Sequence, residues 1–198
     1  MPVGKGKNHQ LLVEGRDDQE VVYHLCNYYD VPKGEVQVQI FDSGGIEALL
    51  SELPTFLKAP PPRLGVMVDA NGSPSGRWQA IRDMLNAEHY LVVPTDLSGK
   101  GVVVSNGESR VGVWIMPDNF RSGMLENFLQ DIKNTGDTLW IDAVRAVNAL
   151  PRTRRPFCRT CPRQSDEQCN SCNARQKACM HTWLAWQEEP GTPLVPYE

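Results

Sequence analysis

The chain has 198 residues, of which 40% are hydrophobic and 22% charged, with a formal net charge of −4. That length suits one domain of moderate size plus an appendage, and no run approaches the roughly 18–20 apolar residues that a membrane-spanning helix needs, so no membrane partner is expected. The start, Met1-Pro2-Val3-Gly4-Lys5-Gly6-Lys7, carries charge with no apolar core behind it, so no secretory signal is expected and the cytoplasm is the expected location.

In chain order, residues 10–13 are a short strand candidate ending at Glu14-Gly15. Asp17 or Asp18 can cap the helix that follows, with Val21, Val22, Leu25 and Tyr28 spaced for one buried face. Val36, Val38 and Ile40 alternate with polar residues at strand period, and Ser43-Gly44-Gly45 turns the chain into a second helix through Ala48, Leu49, Leu50 and Leu53. Pro60-Pro61-Pro62 is a stiff connection before an apolar strand that ends at Asp69. Ser73-Pro74 suits a helix start, with Trp78, Ile81 and Leu85 as its apolar face. Short strands are then expected at 91–93, 102–104 and 111–116, together forming a hairpin added to, or continuing, the sheet. Helical patterns resume over 124–132 and 139–150, Pro151 ends the second, and a last helix is expected over 174–187 before a Pro-rich tail. The alternation of strands and helices predicts an α/β fold with a mostly parallel sheet flanked by helices.

Two apolar strands thus end in carboxylates, Glu14 and Asp69, each followed by turn residues and a helix. Parallel sheets bind ligands outside the carboxyl ends of their strands. If the two strands are neighbours, these acids converge on a site suited to a hard cation such as Mg²⁺ or Mn²⁺, the usual device for phosphoryl chemistry. The bland alternative for Glu14 is a capping acid or salt-bridge partner. Asp18 has a similar alternative, since it can bond the amides of its own helix. Asp118 reaches the same region by position alone.

The segment Cys158-x-x-Cys161 and Cys169-x-x-Cys172, with seven residues between the pairs, has the spacing of a structural Zn²⁺ knuckle. An iron–sulfur cluster or a redox pair is the alternative. Around it, residues 152–177 hold Arg152, Arg154, Arg155, Arg159, Arg163, Arg175 and Lys177 against Asp166 and Glu167. Such local charge can contact phosphates on an acidic protein, or it can be a solvated loop around a purely structural clasp. The expected organisation is an α/β domain over 8–150, a basic four-cysteine zinc-binding insert over 151–173, and a helix and tail over 174–198 that complete the domain.

The ordered acids resemble the Toprim domain shared by topoisomerases, bacterial primases, RecR-type repair proteins and overcoming-lysogenization-defect (OLD) nucleases. Glu14-Gly15 with Asp18 resembles the family's first motif, and Asp69-Ala70-Asn71 its Asp-x-Asp, with an amide in place of the second acid. Gly123-Met124-Leu125-Glu126 and the later Gln176-Lys177-Ala178 resemble segments of the small Toprim-like proteins related to OLD nucleases. The resemblance implies a Toprim-like Rossmannoid fold. It also implies Mg²⁺ ligation by Glu14, Asp18, Asp69, Asn71 and Glu126, with Glu14 serving as ligand or as general acid/base, and phosphate contact by Lys177. The implied function is a metal-dependent nuclease or related phosphodiester-processing enzyme acting on nucleic acid, in repair or phage defence. The alternative is a non-catalytic nucleic-acid-binding or adaptor module. A third option is the effector half of a two-component system that works with an ATPase or other protein partner.

Overall fold

The strand periodicity of the first half builds one five-stranded sheet in the computed structural model, which describes residues 9–32, 36–40, 44–133, 136–150 and 172–187. Its strands are β1 (His9–Val13), β2 (Val36–Ile40), β3 (Arg63–Asp69), β4 (Val102–Asn106) and β5 (Ser109–Met116). The spatial order is β2-β1-β3-β5-β4. The first four of these run parallel, and β4 is antiparallel to β5. The fold is therefore α/β, with a mostly parallel sheet flanked by helices.

Three helices connect the strands: α1 (Arg16–Tyr28), α2 (Gly45–Lys58) and α3 (Pro74–Ala87). The chain moves outward from β1 to β2, then crosses back past β1 to β3. Right-handed crossovers that run in opposite directions put their helices on opposite faces of the sheet. One face is explicit in the packing. Leu49, Leu53 and Leu57 of α2 and Trp78, Ile81 and Leu85 of α3 cluster on Leu12, Leu64, Val66, Val68, Val111, Val113 and Ile115. The strand residues in this set alternate, as a pleated sheet requires. Each fully buried leucine or isoleucine there contributes about 1.5–3 kcal/mol relative to exposure. The intervening Val13 and Met67 are buried outside that cluster and belong to the other face.

Local signals account for the helix ends. Ser73 Oγ accepts from the Gly76 amide at 3.0 Å, and Pro74 occupies the first helical turn where its missing N–H costs nothing. Asp18 Oδ2 accepts from the Gly15 amide at 2.9 Å, closing the first turn of α1. Pro54 lies inside α2 instead of ending it, and the helix continues because Leu57 extends the buried stripe of Leu49 and Leu53. Two expectations fail. Tyr28 is exposed, so the buried stripe of α1 is confined to Val21 and Val22. Residues 91–93 form a single bridge, Leu91 to Ser105, and no strand, because Val92 adopts a left-handed φ of 52° that a strand cannot accommodate.

The hairpin therefore forms from β4 and β5 alone, without the expected 91–93 strand, and Gly101 sets its entry. That residue has φ +74°, and a Cβ on it would lie 2.8 Å from the Val113 carbonyl oxygen, a backbone atom that cannot step aside. Gly101→Ala is expected to destabilise the protein by about 1–3 kcal/mol in denaturant titration. A change of only a few tenths would show that the hairpin entry relaxes freely.

The described residues divide into two compact units at Ser122/Gly123. The second contains α4 (Leu125–Ile132), α5 (Thr138–Ala149) and α6 (Asn173–Ala185). Its core is Trp140, Val147, Cys179 and Met180, with Trp183 set edge-on to Trp140 at 6.3 Å between ring centroids. Asp137 ties this unit together: Oδ1 caps α5 through the Trp140 amide at 3.1 Å, and Oδ2 accepts from the Trp183 indole at 2.9 Å. Trp186, three residues on, is exposed.

Candidate functional site

The strand order 2-1-3 reverses direction between β1 and β3, and in such sheets the crevice at the reversal is the usual ligand position. The register Val13↔Met67 brings the carboxyl ends of these two strands level. Glu14 follows β1 directly and Asp69 closes β3, so the two acids stand at the mouth of that crevice. They are joined by a hydrogen bond: the Asp69 amide donates to Glu14 Oε1 at 2.7 Å. Both are half-buried.

The loop after Asp69 is pinned at several atoms. The Arg77 Nε donates to the Asp69 carbonyl at 3.1 Å, the Ala70 amide to the Met116 carbonyl at 3.1 Å, and the Ser122 hydroxyl to the Gly72 carbonyl at 3.0 Å. Asn71 has a left-handed φ of 50°, a conformation that Asn tolerates better than most side chains. That backbone is a local reason for Asn at this position, independent of any ligand. Sequence reasoning does not single out Arg77 or Ser122. Arg77 falls one turn into the helix behind Asp69, a position where a search could find it, whereas Ser122 is distant in sequence and carries no signal.

Asp18 is half-buried and serves the start of α1, the role expected as its alternative. Among the described residues no three His, Cys, Asp or Glu side chains group closely enough to hold a metal ion. Among the described residues Glu14 and Asp69 are therefore a pair rather than part of a carboxylate triad. Asp118 is consumed by its own turn. It accepts from the Phe120 and Arg121 amides at 3.0 and 2.8 Å and pairs with the Arg121 guanidinium. Desolvation pulls its carboxyl up, but the Arg121 and Phe120 hydrogen bonds outweigh that and hold it below the usual carboxylate value.

In the second unit the structure brings together Glu126 and Lys177, 51 residues apart in sequence. Lys177 Nζ lies 3.7 Å from Glu126 Oε1, with the Glu126 side chain 7% exposed and that of Lys177 54% exposed. Glu126 sits in the first turn of α4, where the helix dipole favours an acid. A buried carboxylate with a cationic partner is also the ordinary structural arrangement.

Of the four cysteines expected to bind Zn²⁺, Cys158, Cys161 and Cys169 lie outside the described residues, as does all of 151–171 within the expected 151–173 insert. Cys172 is buried at the N-cap of α6. Cys179 is fully buried in the helical core, and burial raises its thiol pKa against a smaller lowering by Arg175. His181 is exposed two residues further along the same helix. Among the described helices none is long and apolar enough to cross a membrane.

No curated protein and no solved structure matches the chain significantly. A family model described as "Protein of unknown function (DUF3226)" matches residues 8–197, and the chain belongs to that family.

Proposed function

We propose that this protein is a Mg²⁺-dependent nuclease or related phosphodiester-processing enzyme with a Toprim-like site at Glu14 and Asp69. The observation that carries the reading is the Glu14–Asp69 pair at the carboxyl ends of adjacent parallel strands, where the strand order reverses. Two carboxylates suit Mg²⁺, which keeps several waters and is commonly held by one or two protein acids. Asp69 and Glu14 would hold the ion, with the Asn71 side-chain carbonyl as a further oxygen donor. Bound there, Mg²⁺ or Mn²⁺ would polarise a phosphoryl oxygen and lower the pKa of a water. The Asp69 amide fixes the orientation of the Glu14 carboxylate, and the Arg77, Ala70 and Ser122 hydrogen bonds hold the loop, so little reorganisation is needed when substrate arrives. Glu14 would also hold or release a proton near a bridging oxygen. In this reading Cys158, Cys161, Cys169 and Cys172 hold a structural Zn²⁺, and the surrounding arginines contact nucleic acid. Asp18 supports the site through the Gly15 amide, while Glu126 and Lys177 act as an ion pair in the second unit.

A second reading has specific support. Glu14 already serves the Asp69 amide, and no third acid joins the pair among the described residues. These features favour a nucleic-acid-binding or adaptor module that works with a protein partner, an ATPase among the candidates. The experiment is cleavage of labelled single- and double-stranded DNA and RNA by the full chain, with Mg²⁺ or Mn²⁺ and with chelator. Metal-dependent cleavage is the expected result. Binding without cleavage of any substrate would replace the enzyme reading with the adaptor one.

A further inference from the structure

The opposite end of the sheet carries a second group of residues that the Glu14–Asp69 site does not use. Arg63 opens β3 and stands in register with Arg110 on the neighbouring parallel strand β5. The pairing Gln10↔Leu64 places His9 of β1 one step earlier, level with Arg63. Leu64 faces the α2–α3 core, so by alternation Arg63 and its register partner Arg110 face the other way. Leu12 faces the same core, so His9, three residues earlier, shares the face of the two arginines. Three side chains capable of positive charge therefore cross three adjacent strands in one row.

Like charges placed directly opposite on paired strands repel and destabilise the sheet. Here the only acid lining the same depression among the described residues is Glu108, and it forms no ion pair with either arginine. Neither guanidinium makes a side-chain hydrogen bond or ion pair among them. His9 Nδ1 is shielded from solvent and likewise has no hydrogen-bond partner among the described residues. The row lines an open depression of about 440 Å³, walled by Pro60 and Pro62 and bordered by Glu108. The prolines stiffen one wall, so the depression exists without a ligand to shape it. Arginine forks match the geometry of tetrahedral oxyanions, and two forks in register can grip one group from two sides.

We propose that His9, Arg63 and Arg110 form a binding site for a phosphate-class oxyanion, either free phosphate or a backbone phosphate of a nucleic acid. Asp69 lies six residue steps along β3 from Arg63, about 20 Å at strand rise, so this site is distinct from the candidate metal centre. It does not rest on the enzyme reading. Glu108 limits affinity at the rim, which disfavours highly charged anions and keeps binding reversible.

The test uses the full chain with chelator present, so that metal-dependent cleavage cannot contribute. Inorganic phosphate binding is followed by calorimetry, and binding of a labelled single-stranded oligonucleotide by fluorescence anisotropy. At least one probe is expected to bind, and Arg63→Gln/Arg110→Gln to weaken it by about tenfold or more. Both arginines are exposed, so the variant keeps its fold, which circular dichroism checks. Glu108→Gln is expected to tighten binding. Weakened oligonucleotide binding that free phosphate does not compete with identifies a backbone phosphate, and the salt slope should then fall by about 0.7 for each phosphate no longer held. Weakened binding of phosphate itself identifies free phosphate. No binding of either probe by the wild type, or equal affinities in the folded double variant, would overturn the proposal.

Discussion

Glu14→Gln is expected to reduce metal-dependent cleavage by about a hundredfold or more while leaving the fold intact. Loss of an outer partner of a metal site already costs about 10–100-fold, and removing a ligand charge should exceed that. The amide oxygen of Gln can still accept from the Asp69 N–H, which in the wild type donates to Glu14 Oε1 at 2.7 Å. Glu14→Ala removes both functions. It leaves a partly buried backbone N–H without its acceptor, a loss of about 1–3 kcal/mol, or a few degrees in melting temperature for a chain of this size. The two variants thus separate chemistry from structure: equal loss of activity, unequal loss of stability. Asp69→Asn should behave like Glu14→Gln. Wild-type cleavage by Glu14→Gln would reduce Glu14 to a clip between β1 and β3 and move the chemistry elsewhere.

Much of the sheet was legible because local signals and burial agree. The alternation of Leu64, Val66 and Val68 and the break at Asp69-Ala70 delimit β3, and Ser73-Pro74 marks the start of α3. The misses have physical causes. Tyr28 has the right spacing for a buried face, but it lies at the last turn of α1, beyond the buried Val21 and Val22. Leu91, Val92 and Val93 are β-formers, yet the left-handed Val92 and the following Pro94 prevent a ladder, leaving Val92 93% exposed.

For the candidate site, the carboxylates could be read from the sequence and their partners could not. That Glu14 and Asp69 end neighbouring strands depends on the crossover back past β1, which no local pattern encodes. The role of Asp18 follows from its place as an acid three positions after the N-cap glycine. The Glu126–Lys177 pair and the His9–Arg63–Arg110 row arise from packing and register across long sequence separations. Glu126 and Lys177 are each named by the resemblance but not as partners, and His9, Arg63 and Arg110 carry no signal singly; both groupings emerge only once the strands and helices are placed.

Trp78→Ala is expected to have the largest effect on stability, about 3–5 kcal/mol. The indole is 3% exposed and packs in the face shared by α2, α3 and the sheet. Its Nε1 also donates to the Thr95 carbonyl at 3.0 Å, tying α3 to the irregular segment that replaces the expected 91–93 strand. The same carbonyl accepts from Arg82 Nη1 at 3.2 Å, so it keeps a donor when the indole is removed. Trp78→Phe should therefore cost much less than Ala, because most of the ring volume remains and no acceptor is stranded. Hydrogen exchange at the amides of β3 and β5 is the suitable readout, since it reports the first unit even if the helical unit unfolds separately. A Trp78→Ala cost below about 1 kcal/mol would mean that the 91–101 segment is not anchored through this ring. A cost shared equally by Ala and Phe would place the stabilisation in the N–H bond to Thr95 and not in the packing.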